Sequence, residues 1–136
     1  MSNLTIAGMS IVLCTAATAA AAADLNATQP LLCAARSAAV CEEHGACATT
    51  LPEAVNLPAF WKIDPAAKTV ESRRADSDTP RTSQISKVAL SGGWLILQGD
   101  EDGLGWTVTI AADTGKMILS GGRDIGFVVF GACTAL

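Results

Sequence analysis

Within seven residues the chain offers two thiols and its one imidazole, as Cys41-x-x-His44-x-x-Cys47. Thiolate and imidazole at this spacing can begin a zinc site, but a structural site takes four ligands and there is no second histidine to help complete it. Any serine–histidine or cysteine–histidine catalytic pair would also have to use His44. No Gly-x-Ser-x-Gly frame occurs, and Ser91 and Ser120 stand beside glycine pairs that read as turns. The intervening Glu42-Glu43-His44-Gly45-Ala46 is turn-prone, so Cys41 and Cys47 are expected to join in a local disulfide with His44 solvated in its loop. The chain is therefore read as a non-enzyme with no metal and no cofactor. A metal-dependent enzyme centred on His44 is the remotest alternative.

Carboxylates cluster twice, in Asp100-Glu101-Asp102-Gly103 and in Asp76-Ser77-Asp78. Calcium takes six to eight oxygens, and the twelve-residue EF-hand spacing is absent. A glycosidase pair would need two carboxylates held across a cleft, which two hairpin tips do not by themselves provide. Both clusters read as solvated turns, and Asp100, Glu101 and Asp102 are kept as a candidate partner-binding loop. Aromatic residues are few: no tyrosine, three tryptophans and three phenylalanines. Trp94 and Trp106 run in phase with leucine and valine and are assigned to the core. Phe60 and Trp61 are adjacent and point to opposite faces of their strand, with Trp61 the candidate exposed aromatic. Asn26-Ala27-Thr28 matches the glycosylation sequon.

The first 23 residues carry no side-chain charge and run through an apolar stretch into an alanine tract that stops at Asp24. That is the shape of a signal peptide, with Ala21 and Ala23 supplying the small residues before the cut. Residues 24–136 are then one exported domain, periplasmic or secreted, with no membrane span left after cleavage. Of five cysteines, Cys14 lies in the leader and Cys33, Cys41, Cys47 and Cys133 remain. An even count in a small exported domain implies a disulfide framework with three pairings open to it. Closing Cys41 to Cys47 locally leaves Cys33 with Cys133, which is the preferred arrangement. The 13 acids and 9 bases give a net charge of −4, and no basic cluster exceeds Arg73-Arg74. Nucleic acid is excluded as a partner on that ground.

Short apolar runs at Gln84–Leu90, Trp94–Gly99, Gly105–Ala111, Lys116–Ser120 and Gly126–Cys133 alternate with glycine- or Asp-Gly-type turns. Their regular spacing predicts an antiparallel meander. Ala59–Asp64 and Thr69–Arg74 read as a preceding hairpin, whereas Ala34–Val40 fits a strand or one short helix equally well. In Trp106-Thr107-Val108-Thr109-Ile110 the alternation leaves one wet face. Trp94–Leu97 and Phe127–Phe130 are apolar on both faces, as expected of central or doubly covered strands. The apolar phase slips by one between Ile85 and Val88, the signature of a β-bulge. Asp113-Thr114-Gly115 predicts a turn closed by a left-handed glycine. Lys87–Gly93 and Lys116–Gly122 share K-x-x-L-S-G-G and are expected to form two hairpins built alike. The fold expected is all-β: a meander forming a small closed or partly open barrel, with a two-layer sandwich as the alternative.

Several of these features together resemble a family of small periplasmic or secreted proteobacterial β-proteins. They are Leu32-Cys33, Trp61-Lys62-Ile63-Asp64, Leu97-Gln98-Gly99 with Gly105-Trp106, Asp113-Thr114-Gly115, and the ending Phe127-Val128-Val129-Phe130-Gly131-Ala132-Cys133-Thr134. The resemblance spans most of residues 30–134. It implies a fold and a compartment, and it carries over no catalytic residue. A looser similarity, of class only, is to periplasmic β-barrel inhibitors of lysozyme. Their serine-glycine and tyrosine-containing strand is absent, and Ser91-Gly92-Gly93-Trp94 is its nearest counterpart. The function expected is binding of an unidentified protein or small apolar ligand. The alternative is inhibition of a basic cell-wall hydrolase such as lysozyme through the Asp100–Asp102 tip.

Overall fold

A computed structural model describes residues 24–73, 77 and 79–136. The expected leader, together with Asp76 and Asp78, lies outside the described residues. Nine strands follow one another: β1 Leu31–Cys41, β2 Ala48–Thr50, β3 Phe60–Asp64, β4 Thr69–Ser72, β5 Arg81–Ser91, β6 Trp94–Glu101, β7 Leu104–Ala111, β8 Lys116–Gly122 and β9 Gly126–Ala135. Every pairing is antiparallel, and β1 also pairs with β9, so β1 and β3 to β9 close into an eight-stranded barrel with β2 as an extra strand. Closure removes the free edges that an open meander would present. The segment that fitted strand or helix is strand throughout, because Leu31–Cys41 has partners along almost its whole length: β9 on one edge, and β3 and then β2 on the other.

The turns follow the residues that permit them. Gly92-Gly93 and Asp102-Gly103 all have positive φ, the two-residue type I′ solution whose twist matches that of the flanking strands. Gly115 has φ 68°, as a left-handed turn residue should. The expected bulge is present as a register shift between Ile85 and Lys87. The second copy of K-x-x-L-S-G-G behaves differently from the first: Gly121 and Gly122 are not a turn but lie within β8, opposite Trp106 and Gly105. The difference comes from Arg123-Asp124-Ile125, which takes the reversal that the glycine pair performs in the first copy.

Alternation assigns the barrel interior. Val88, Leu97, Val108, Leu119, Val129 and Ala38 face one another through consecutive registered pairs and form one continuous apolar row around the barrel. Leu31, Ile63, Leu95, Leu97, Ile110, Met117 and Val129 are fully buried, each contributing about 1.5–3 kcal/mol by burial. At the end carrying the Gly92-Gly93 and Asp113–Gly115 turns, Leu25 is buried beside Gly115 and its N–H donates to the Ala112 carbonyl at 2.8 Å. Leu25 packs that end.

The outer face departs from the expectation of double covering. Trp94, assigned to the core, is 41% exposed, and Phe130 and Ile118, paired with each other on β9 and β8, are also exposed on the barrel's outside. A single closed sheet has only one inside. Runs apolar on both faces must therefore leave one face open, and Trp94 is out of phase with the buried Leu95 and Leu97.

Both disulfides form as expected, Cys33–Cys133 and Cys41–Cys47. Cys33 and Cys133 are direct cross-strand partners on the β1–β9 seam, buried inside the barrel. Cys41–Cys47 closes the short connection between β1 and β2. Its loop is short, so its removal in Cys41→Ser/Cys47→Ser is expected to cost only about 2 kcal/mol in urea denaturation. The barrel should persist.

Candidate binding cavity

The opposite end of the barrel is hollow. A cavity of about 460 Å³ opens there, within the roughly 300–1,000 Å³ range of small-ligand sites. Its walls are Trp61, Ile63, Val70, Val108, Met117 and Leu119, with Trp106 and Phe127 toward the mouth. On one side the wall is not a barrel strand. The upper half of β1 pairs with β2 instead of β3, and the chain then makes a 3₁₀ turn, Pro52–Val55, that places Asn56, Leu57 and Pro58 over the cavity. Asn56 ends that turn in the left-handed region (φ 61°), its N–H donating to the Glu53 carbonyl at 3.1 Å.

The hollow arises from the arrangement of two glycines. Across one inward row, Gly99 pairs with Trp106, Trp106 with Gly121, Gly121 with Phe127 and Phe127 with Val40. A Cβ on Gly99 would stand 2.5 Å from the Gln84 carbonyl oxygen and closer still to Cζ2 of Trp106. One on Gly121 would stand 2.7 Å from Cζ of Phe127. Each ring thus reaches over a neighbouring glycine. Large aromatics that would otherwise fill the bore line it instead.

The rim is polar on the β4–β5–β6 side. Arg81 and Ser83 on β5 stand beside Glu101 on the neighbouring strand β6: the Arg81 guanidinium pairs with one carboxylate oxygen, and the Ser83 hydroxyl donates to the other at 2.6 Å. Ser72, opposite Arg81 in the ladder, adds a further hydroxyl to the lining. Beside them Arg123 donates to an Asp124 carboxylate oxygen at 3.0 Å and to the Asp102 carbonyl at 3.2 Å. Both guanidinium groups are already engaged.

The structure therefore separates the three residues of the expected acidic loop. Asp100 and Asp102 are exposed, whereas Glu101 turns inward, continuing the phase of Leu95, Leu97 and Gly99. Trp61 corrects another expectation. It is 8% exposed and faces the cavity, while Phe60 is 60% exposed and outward. Lys62 shares the face of Phe60 and Ile63 that of Trp61, which was the signal for this orientation. His44 is exposed near Glu43, and with both flanking sulfurs in a disulfide it has no thiolate to act with. The inward polar residues Arg81 and Ser83 were missed, because their loop-like sequence hid the fact that β5 begins at Arg81, and Ser72 was placed in the expected hairpin without being singled out.

Fold and cavity together define a class: a small disulfide-stapled β-barrel, packed by Leu25 at one end and hollow at the other. No family model, curated protein or solved structure matches the chain.

Proposed function

We propose that the chain is an exported, non-enzymatic binding domain, periplasmic or secreted, that takes a small apolar ligand into the open end of the barrel. The observation that carries this reading is the hollow itself. A barrel of this size can fill its bore with side chains, yet here two glycines let Trp106 and Phe127 lie against the wall. Two disulfides suit an oxidising compartment, and the charge-free leader sequence supports export. The alternative of an inhibitor of a basic hydrolase draws less support, since Glu101 turns into the cavity and the tip presents Asp100 and Asp102 alone to a protein surface.

Titration with the neutral apolar fluorophore N-phenyl-1-naphthylamine tests the reading. Saturable uptake near one molecule per chain, with a blue-shifted emission, is expected. In Leu119→Trp, which inserts an indole into the cavity, affinity should fall at least tenfold while far-ultraviolet circular dichroism stays that of the parent. Absence of uptake by the folded protein, or undiminished uptake by Leu119→Trp, would overturn the proposal.

A further inference from the structure

We propose that the cavity selects amphipathic organic cations: an apolar body in the bore and an ammonium-type head at Glu101. This rests on the small-ligand reading above and goes beyond it by naming the chemistry of the head group. Three observations carry it.

The first is position. Among the described residues lining the cavity, Glu101 is the carboxylate that a barrel strand turns inward, two residues after Gly99 on the same face of β6. The Trp106 indole lies over Gly99, and Glu101 and that ring line the same cavity. A carboxylate in a cavity lined by two tryptophans and a phenylalanine is the environment in which a cation gains from both charge and ring quadrupole.

The second is charge. The cavity lining carries Glu101, Asp102 and Asp124 against Arg81 and Arg123, one negative charge in excess, on a chain of net charge −4. An incoming anion meets two guanidinium groups already engaged with carboxylate oxygens. An incoming cation meets the favourable sign.

The third is which partner can yield. Arg81 is the first residue of β5 and its side chain is 46% exposed, so it can swing into solvent; exposed ion pairs of this kind contribute little. Ser83, part-buried within β5, holds the other carboxylate oxygen in place. The ammonium replaces the guanidinium, and Glu101 keeps its orientation.

The oxidised full-length domain is titrated with n-decylamine, 1-decanol and decanoate, followed by tryptophan emission, for the parent chain and Glu101→Gln. The amine is expected to bind about tenfold more tightly than the alcohol, with decanoate the weakest. In Glu101→Gln the amine-to-alcohol ratio should fall to near one. Decanoate binding as tightly as the amine, or a ratio that survives in Glu101→Gln, would overturn the cation preference while leaving the apolar-ligand reading in place. Failure of all three probes to bind the folded chain would remove both.

Discussion

Removing the Cys33–Cys133 bridge as Cys33→Ala/Cys133→Ala is expected to destabilise the domain by about 4–5 kcal/mol. The closed loop spans a sequence separation of 100, and the chain-entropy model assigns such a loop close to the maximum that one disulfide gives. For a domain of this size the loss is on the order of 20 °C in thermal midpoint. Differential scanning calorimetry of parent and variant measures it directly. Alanine is the substitution of choice because Cys33 is fully buried, and a serine hydroxyl there would have to find a partner in an apolar bore. Because the bridge joins the first barrel strand to the last, its loss should be larger than that of Cys41–Cys47. A calorimetric shift of only a few degrees would mean that the β1–β9 ladder holds the seam by itself.

The second large effect is expected at Gly99, where Gly99→Ala should cost about 3 kcal/mol and weaken ligand uptake as well. The added Cβ has two neighbours that cannot both give way: the Trp106 indole, and the Gln84 carbonyl of β5 at 2.5 Å. Overpacking of a tight site costs roughly 1–3 kcal/mol, and the backbone obstacle places this site at the upper end. Relief by rotating the indole moves it off the wall and into the cavity. Lower stability and at least tenfold weaker N-phenyl-1-naphthylamine binding should therefore appear together. A stable variant with undiminished uptake would show that Trp106 has somewhere else to go.

Much of the architecture could be read from the order of apolar and turn residues. The five final strands, the bulge after Ile85, the Asp113–Gly115 turn and the Cys41–Cys47 bridge are set by short-range chemistry, and the distant Cys33–Cys133 pair is what that local closure leaves over. The orientation of Glu101 was also within reach, because it continues the phase of Leu95 and Leu97 past Gly99. A run of acids reads as a tip only when the strand is taken to end before it. β6 extends two residues beyond the apolar run, to Glu101. The cavity itself was not legible. Whether Trp106 and Phe127 fill the bore or line it depends on which residues stand beside them on neighbouring strands, and those neighbours, Gly99 and Gly121, lie on other segments of the chain. The exposure of Trp94 and Phe130 follows from closure of a single sheet, a property of the whole fold that no window of sequence contains.

The order of the strands has a kinetic consequence. From β3 to β9 each ladder joins consecutive strands, so most of the sheet can zip up by short loop closures, and the β1–β9 contact is the one of highest contact order. Until that contact forms, the nascent sheet has two unpaired rims, and an intermolecular ladder at either is the competing reaction. Ring closure is also the step at which alignment is decided, because a slip of one position at the seam would turn Cys133 to the outside, away from Cys33. Oxidation of this pair thus acts as proofreading: it makes permanent only the alignment that returns both sulfurs to the bore.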